Sequence, residues 1–179
     1  MKMCGMSLSN LSLAIVEPTF PVNVGHLARL AKNFGLSSLI LINPSFNMEE
    51  ALPYASHGAD ILRSSKTMSF KELLEHFDLV VGTTAIPGGS RNIRRDVVPP
   101  EAAAKRILES RGSVCILFGR ETTGLTNEEL KLCDMVISIP TGTTYRTLNV
   151  SHAAAIILYT LIAARSPRTE RSEVPRPIR

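Results

Sequence analysis

The chain lacks any cysteine arrangement that points to a disulfide framework or a zinc site. Its three cysteines, Cys4, Cys115 and Cys133, are odd in number and scattered. With no CxxC pair and no Cys/His cluster, a reduced, cytoplasmic setting is expected. No apolar run approaches the roughly 20 residues needed to cross a bilayer, so no membrane partner is expected, and residues 156–164 read as core. The opening MKMCGMSLSN lacks the long apolar region of a signal peptide. No GxGxxG follows the first predicted strand, which removes the usual dinucleotide cradle. GxxxxGK[ST], HExxH and GxSxG are also missing, excluding the common triphosphate, zinc-protease and serine-hydrolase signatures. His26, His57, His76 and His152 share no metal-ligand spacing, so no metal is expected.

What is present bounds a single domain. A chain of 179 residues with 44% hydrophobic and 20% charged residues can bury a sizeable core without cross-links. The net charge of +4 is uneven: residues 165–179 hold five arginines and two glutamates, and the rest is nearly neutral. That tail also carries Pro167, Pro175 and Pro177 and is expected to be disordered. It either attracts phosphate backbones or serves as a solubilising end. The expected organisation is a flexible 1–10, a folded domain over 11–164 and the basic tail 165–179.

Apolar periodicity predicts alternating strands and helices. Leu11–Val16 reads as a strand, followed by a helix capped by Asn23 and ended by Gly35. A strand over Ser38–Ile42 leads to a mixed segment over 45–60. Phe70–His76 is a short helix feeding the strand Leu79–Gly82. Ile86–Pro100, with Gly88-Gly89, reads as a long mobile loop. Glu101–Arg111 is a helix and Val114–Gly119 a strand. Thr126 and Glu129 form a capping box for a helix to Leu132. Met135–Ile139 is the last strand. Strands that read as continuous apolar runs between helices mean an α/β fold, its sheet mostly parallel with helices on both faces. Ligands in such folds bind beyond the carboxyl ends of the strands. Three of those ends are chemically loaded: Gly82 to Ala85, Gly119 to Glu121, and Ile139 to Gly142.

The stretch IPTGTTYRTLNVSHAAAIILY, residues 139–159, joins a strand end and a polar turn to a helix that is apolar nearly all round. Such a helix must be covered on every side, and a domain of this size has little interior to spare. A partner subunit is the expected cover.

Three segments read together resemble the SPOUT superfamily of RNA methyltransferases, nearest to its TrmH/TrmJ branch of tRNA ribose 2′-O-methyltransferases. They are Pro21-Val22-Asn23-Val24-Gly25 continuing to Arg29; Leu117-Phe118-Gly119-Arg120-Glu121 with Gly124-Leu125; and Ile139-Pro140 with Thr147-Leu148-Asn149-Val150-Ser151. The resemblance spans residues 11–164 and implies a C-terminal trefoil knot, a homodimer and S-adenosylmethionine held in the knot loops, with S-adenosylhomocysteine as product. It implies cofactor contacts at Thr83, Thr84, Ala85, Gly119, Ile139, Thr147, Leu148 and Asn149. Arg29 matches the family's catalytic arginine, Asn23 supports it or the substrate, and Glu121 holds the active-site loops, from within the chain or from across the dimer. Because a guanidinium stays protonated in proteins, Arg29 suits a clamp on ribose or phosphate oxygens better than a base. On their own, Asn23 and Asn149 read equally as helix caps, and Glu121 as the ion-pair partner of Arg120.

The implied substrate is a tRNA pyrimidine ribose, cytidine or uridine, in the anticodon loop. The alternatives are another tRNA position, rRNA, a non-catalytic RNA-binding dimer, or a small-molecule binder using the strand-end pocket. RNA capture falls to Arg91, Arg94 and Arg95, with Arg91 preferred, and to the tail. Two departures from the family pattern stand out. Thr147 replaces a serine, and Ile86-Pro87-Gly88-Gly89 intervenes before Arg91.

Overall fold

A computed structural model describes residues 8–36, 38–85 and 97–165. The positions of Cys4, Arg91, Arg94 and Arg95, most of the expected loop 86–100, and the tail beyond Arg165 lie outside the described residues.

The chain runs β1 (Leu11–Val16), α1 (Pro21–Asn33), β2 (Ser38–Ile42), α2 (Met48–Ala55), a 3-10 turn (Ser56–Gly58), α3 (Ala59–Arg63) and β3 (Lys66–Met68). It continues with α4 (Phe70–His76), β4 (Leu79–Thr83), β5 (Val97–Val98), α5 (Pro100–Glu109) and β6 (Val114–Phe118). α6 (Asn127–Leu132), β7 (Met135–Ile137) and α7 (Val150–Arg165) complete it. Among the described residues seven strands form one sheet in the order β3-β2-β1-β6-β4-β7-β5, and every pairing between them is parallel. The central register places Leu13 between Leu39 and Ile116.

Both faces of the sheet are dry, which is why the strands read as unbroken apolar runs. Leu13, Ile15, Leu39, Leu41, Val81 and Ile116 point to one core, shared with α1, α5 and α7. Their neighbours Ala14, Ile40, Val80, Cys115 and Leu117 point to the other, which Leu73 of α4 and Leu130 of α6 close. Alternation of period two thus feeds two cores at once. The thiol of Cys115 is fully buried and its pKa is pushed up, first by loss of solvent and then by the neighbouring Cys133. Thiolate chemistry is therefore disfavoured there.

Several expected boundaries move. The first helix starts at Pro21, with Phe20 at the N-cap and no side-chain cap bond. Asn23 is therefore inside the first turn and does not cap it. Proline at the first helical position is the reason: its fixed φ is pre-set for a helix and its missing N–H costs nothing there. α5 begins one residue early, at Pro100, for the same reason. Gly35 ends α1 as expected, at φ +70°. Its N–H bonds to the Lys32 carbonyl and that of Leu36 to the Ala31 carbonyl, the paired bonds of a Schellman cap. The Thr126–Glu129 capping box forms as expected, and a second one, Ser69–Glu72, opens α4. Strands β3 and β5 carry no clear sequence signal because each is very short and lies at an edge of the sheet.

Among the described residues, the last helix is covered on one side only. Ala154, Ile157, Leu158 and Leu161 are buried, whereas Ile156 is 39% and Tyr159 68% exposed. Within one chain its apolar character therefore exceeds what the core uses.

Candidate active site

Beyond the carboxyl ends of β4, β6 and β7 lies a cavity of about 470 Å³, within the size range of small-molecule sites. The loops after those three strands build its walls. All eight residues expected to contact a cofactor line it: Thr83, Thr84, Ala85, Gly119, Ile139, Thr147, Leu148 and Asn149. Asn23 and Glu121 line it as well. Arg29 does not; it is exposed on α1, further along the helix than Asn23.

The loop after β6 is the tightest wall. The N–H of Gly124 donates to the Arg120 carbonyl at 2.8 Å, and the N–H of Arg120 donates back at 3.3 Å. The loop therefore doubles back on Gly119. A Cβ on Gly119 would stand 2.1 Å from both the Gly124 carbonyl carbon and the Leu125 nitrogen. Glycine is required at this position for close approach of backbone to backbone.

Arg120 does not pair with Glu121 as the sequence alone suggests. Its guanidinium bonds Glu17 through Nε and Nη2 at 2.7 and 2.8 Å, and Glu129 through Nη1 and Nη2 at 3.0 and 3.1 Å. One side chain thus ties the turn after β1, the cavity loop and the start of α6. Glu129 also accepts from the Thr126 N–H. Nothing in the sequence signals this clamp, because Glu17 lies 103 residues from Arg120. Hydrogen bonding to Arg120 holds the Glu17 carboxyl below its ordinary value. Burial pushes Glu129 up, but bonds from Arg120 and Thr126 outweigh it, and its pKa is also lowered. The Arg120 pKa is raised in turn, mainly by its bonds to Glu17 and Glu129.

These shifts carry a pH signature. Both carboxylates have folded-state pKa values below the ordinary 4.5. The stabilisation they give is complete above that value and is lost as pH falls through the lower folded values. Wild type and Arg120→Met should therefore differ in melting temperature by a constant amount from about pH 8 to pH 5.5, with the gap closing below about pH 4. A gap that persists unchanged to about pH 3 would show that the clamp contributes little.

Glu121 turns the other way, toward the start of α1. Its carboxylate accepts from the N–H groups of Thr19 and Phe20, both at 3.3 Å, and from Asn23 Nδ2 at 3.4 Å. An anion at a helix N-terminus is favourably placed. Asn23, only 6% exposed, accepts in turn from Asn149 Nδ2 at 2.9 Å. Asn149 Oδ1 then accepts from the Ser151 N–H and hydroxyl at 2.9 and 2.8 Å. Asn149 is thus the expected cap of α7. The chain from Ser151 through Asn149 and Asn23 to Glu121 joins three segments far apart in sequence. Its two ends fix its direction, since a backbone N–H can only donate and a carboxylate can only accept.

Part of the remaining wall suits an apolar group. Ile137, Ile139 and Leu148 are apolar, and backbone groups of the three loops supply polarity. The Thr83 hydroxyl is committed to the Leu117 carbonyl at 3.0 Å, so it shapes the wall and has no proton left to donate to a ligand. Among the described residues no group of His, Cys, Asp and Glu is placed to hold a metal ion, and no helix is long and apolar enough to cross a membrane.

Comparison with known proteins places the chain among RNA methylases. Residues 10–159 match the model of the SpoU rRNA Methylase family. The chain is 40% identical over 151 residues to the tRNA (cytidine-2′-O-)-methyltransferase TrmJ of Methanocaldococcus jannaschii, covering 83% of this chain and 66% of that one. A probable methylase family protein from Haemophilus influenzae superposes with a TM-score of 0.80 at 31% identity, covering 88% of this chain and 66% of the other. TrmJ from Z. mobilis does so with a TM-score of 0.77 at 29% identity, covering 93% and 72%. The chain spans just under two thirds of the length of three curated relatives that it matches, at 66%, 64% and 63%. The fold shared with these neighbours is the SPOUT α/β knot, as the resemblance of the three sequence segments implied.

Proposed function

The chain belongs to the SpoU rRNA Methylase family, and from that membership we propose that it transfers a methyl group from S-adenosylmethionine to a ribose 2′-hydroxyl of tRNA. The observation that carries this reading is that the eight residues for which the resemblance implies cofactor contact all line one cavity. A pyrimidine of the anticodon loop is the favoured acceptor. TrmJ relatives are named for 2′-O-methylation of tRNA at cytidine, at cytidine and uridine, and in one case at cytidine, uridine and adenosine. A cytoplasmic location follows from a tRNA substrate.

The cofactor, when bound, supplies a methyl group on a positively charged sulfur. Transfer of that group would methylate the ribose oxygen, release the hydroxyl proton and leave a neutral thioether. Ile137, Ile139 and Leu148 would hold the adenine, with loop amides meeting its polar edge. The Glu121–Asn23–Asn149 chain keeps two cavity walls at fixed spacing, so Asn23 and Glu121 act by positioning. Arg29 binds ribose or phosphate oxygens and stabilises negative charge as it develops on the acceptor oxygen. An RNA phosphate then takes the proton, since a guanidinium does not. Arg29 lies outside the cavity of its own chain. In this reading a homodimer, packed through the uncovered face of α7, completes the active site. Arg91, Arg94 and Arg95 remain the proposed RNA contacts of the segment after β4.

Purified protein given labelled S-adenosylmethionine should label tRNA, and an otherwise identical RNA with deoxyribose at the target should stay unlabelled. Label in the deoxy substrate would overturn the ribose assignment. Arg29→Ala should slow transfer by about 10²–10³-fold, the usual effect of removing one transition-state stabiliser, with cofactor affinity nearly unchanged. Parallel loss of cofactor binding would make Arg29 a structural residue.

A further inference from the structure

The charged residues lining the cavity, among those described, are Arg120, Glu121 and Arg146. Two of the three are committed. Arg120 is saturated by two carboxylates, and Glu121 is bound to the start of α1. Arg146 is exposed and engages no carboxylate among the described residues. It sits on the loop between β7 and α7, where it lines both the cofactor cavity and a second, adjoining hollow bounded by Val98, Pro140 and Thr144.

This placement is held by local hydrogen bonds. The Thr143 and Thr141 hydroxyls both donate to the Tyr145 carbonyl, at 2.9 and 3.4 Å. Gly142 makes the turn at φ +73°, and three residues past Arg146 the loop is anchored by Asn149. Tyr145 itself is 78% exposed. An uncompensated guanidinium thus stands at the rim of a methyl-transfer cavity, on the dividing wall between two hollows. Any polymer presenting a ribose to that cavity brings phosphates past this rim. A guanidinium matches phosphate oxygens in geometry and in charge.

We infer that Arg146 is an RNA-contact residue that binds a backbone phosphate next to the target ribose. The inference rests on the proposed RNA methyltransferase function. It adds a contact on the cavity rim to the arginines already proposed in the segment after β4. The contact gives affinity and positions the nucleotide without choosing its base.

The test measures binding of a fluorescein-labelled, unmodified tRNA transcript by anisotropy across a salt series, beside calorimetric S-adenosylmethionine binding. Arg146→Ala should weaken tRNA binding about tenfold at low salt. It should also reduce the slope of log affinity against log salt by about one phosphate contact. Arg146→Lys should restore most of the slope, because a point charge still releases the counterion. Cofactor affinity and melting temperature should stay at wild-type values. If Arg146→Ala binds tRNA with wild-type affinity and slope, the inference is wrong and the function proposal stands. If instead the cofactor affinity collapses while tRNA binding holds, the guanidinium serves the cofactor's carboxylate and the inference is equally overturned. A wild-type protein that binds cofactor but no RNA would overturn the function proposal and this inference together.

Discussion

Gly119→Ala should abolish S-adenosylmethionine binding, as read by calorimetry, and with it all methyl transfer. The added methyl would meet the Gly124 carbonyl carbon and the Leu125 nitrogen at 2.1 Å. Both are backbone atoms, so neither can rotate away as a side chain would. The loop that carries Arg120 and Glu121 must open, breaking the Arg120–Gly124 bonds and displacing one wall of the cavity. Gly124→Ala is the matched control. Gly124 sits at φ +72°, and a methyl added there would meet no atom within 4 Å, so that change costs only backbone strain, about 1–2 kcal/mol. It should weaken binding without removing it. If Gly119→Ala binds cofactor as tightly as Gly124→Ala does, the cavity is not the cofactor site.

Ile156→Asp should yield a monomer by sedimentation, with transfer below detection and cofactor binding lost. The side chain lies on the uncovered face of α7, beside Tyr159, so the single chain's core does not require it. An exposed aspartate there costs a lone protomer little, yet burying that charge unpaired at a subunit interface costs several kcal/mol. The following residue, Ile157, is buried and lines the cavity, and the helix cap Asn149 belongs to the Glu121–Asn23 chain. Loss of the partner should therefore be felt in the pocket. A stable monomer that retains full cofactor affinity would separate assembly from the site and contradict the homodimer reading.

The residues that are legible in the sequence share a local cause. Strand ends such as Thr83, Gly119 and Ile139 follow apolar runs, and ligand sites form there in parallel sheets. Gly35, Asn149 and the Thr126–Glu129 box signal within a few residues of themselves. Asn23 resembles a cap, but proline at the first helical position carries a stronger signal than asparagine two residues later. Sequence proximity pairs Arg120 with Glu121. The fold instead joins Arg120 to Glu17 and sends Glu121 to the N–H groups of Thr19 and Phe20. Such pairings depend on which strands become neighbours, here β1 beside β6, and no local pattern encodes that. The apolar character of α7 is plain in the sequence, but only the structure separates the face the core uses from the face left over.

The most direct test of methyl transfer to ribose is nuclease digestion of tRNA treated with the protein and S-adenosylmethionine, followed by mass spectrometry of the oligonucleotide fragments and of the nucleosides released from each. A 2′-O-methylated pyrimidine in the anticodon-loop fragment, absent from untreated tRNA, is the expected result. Methyl groups found only on bases, or no methylated nucleoside from a protein that binds the cofactor, would contradict it.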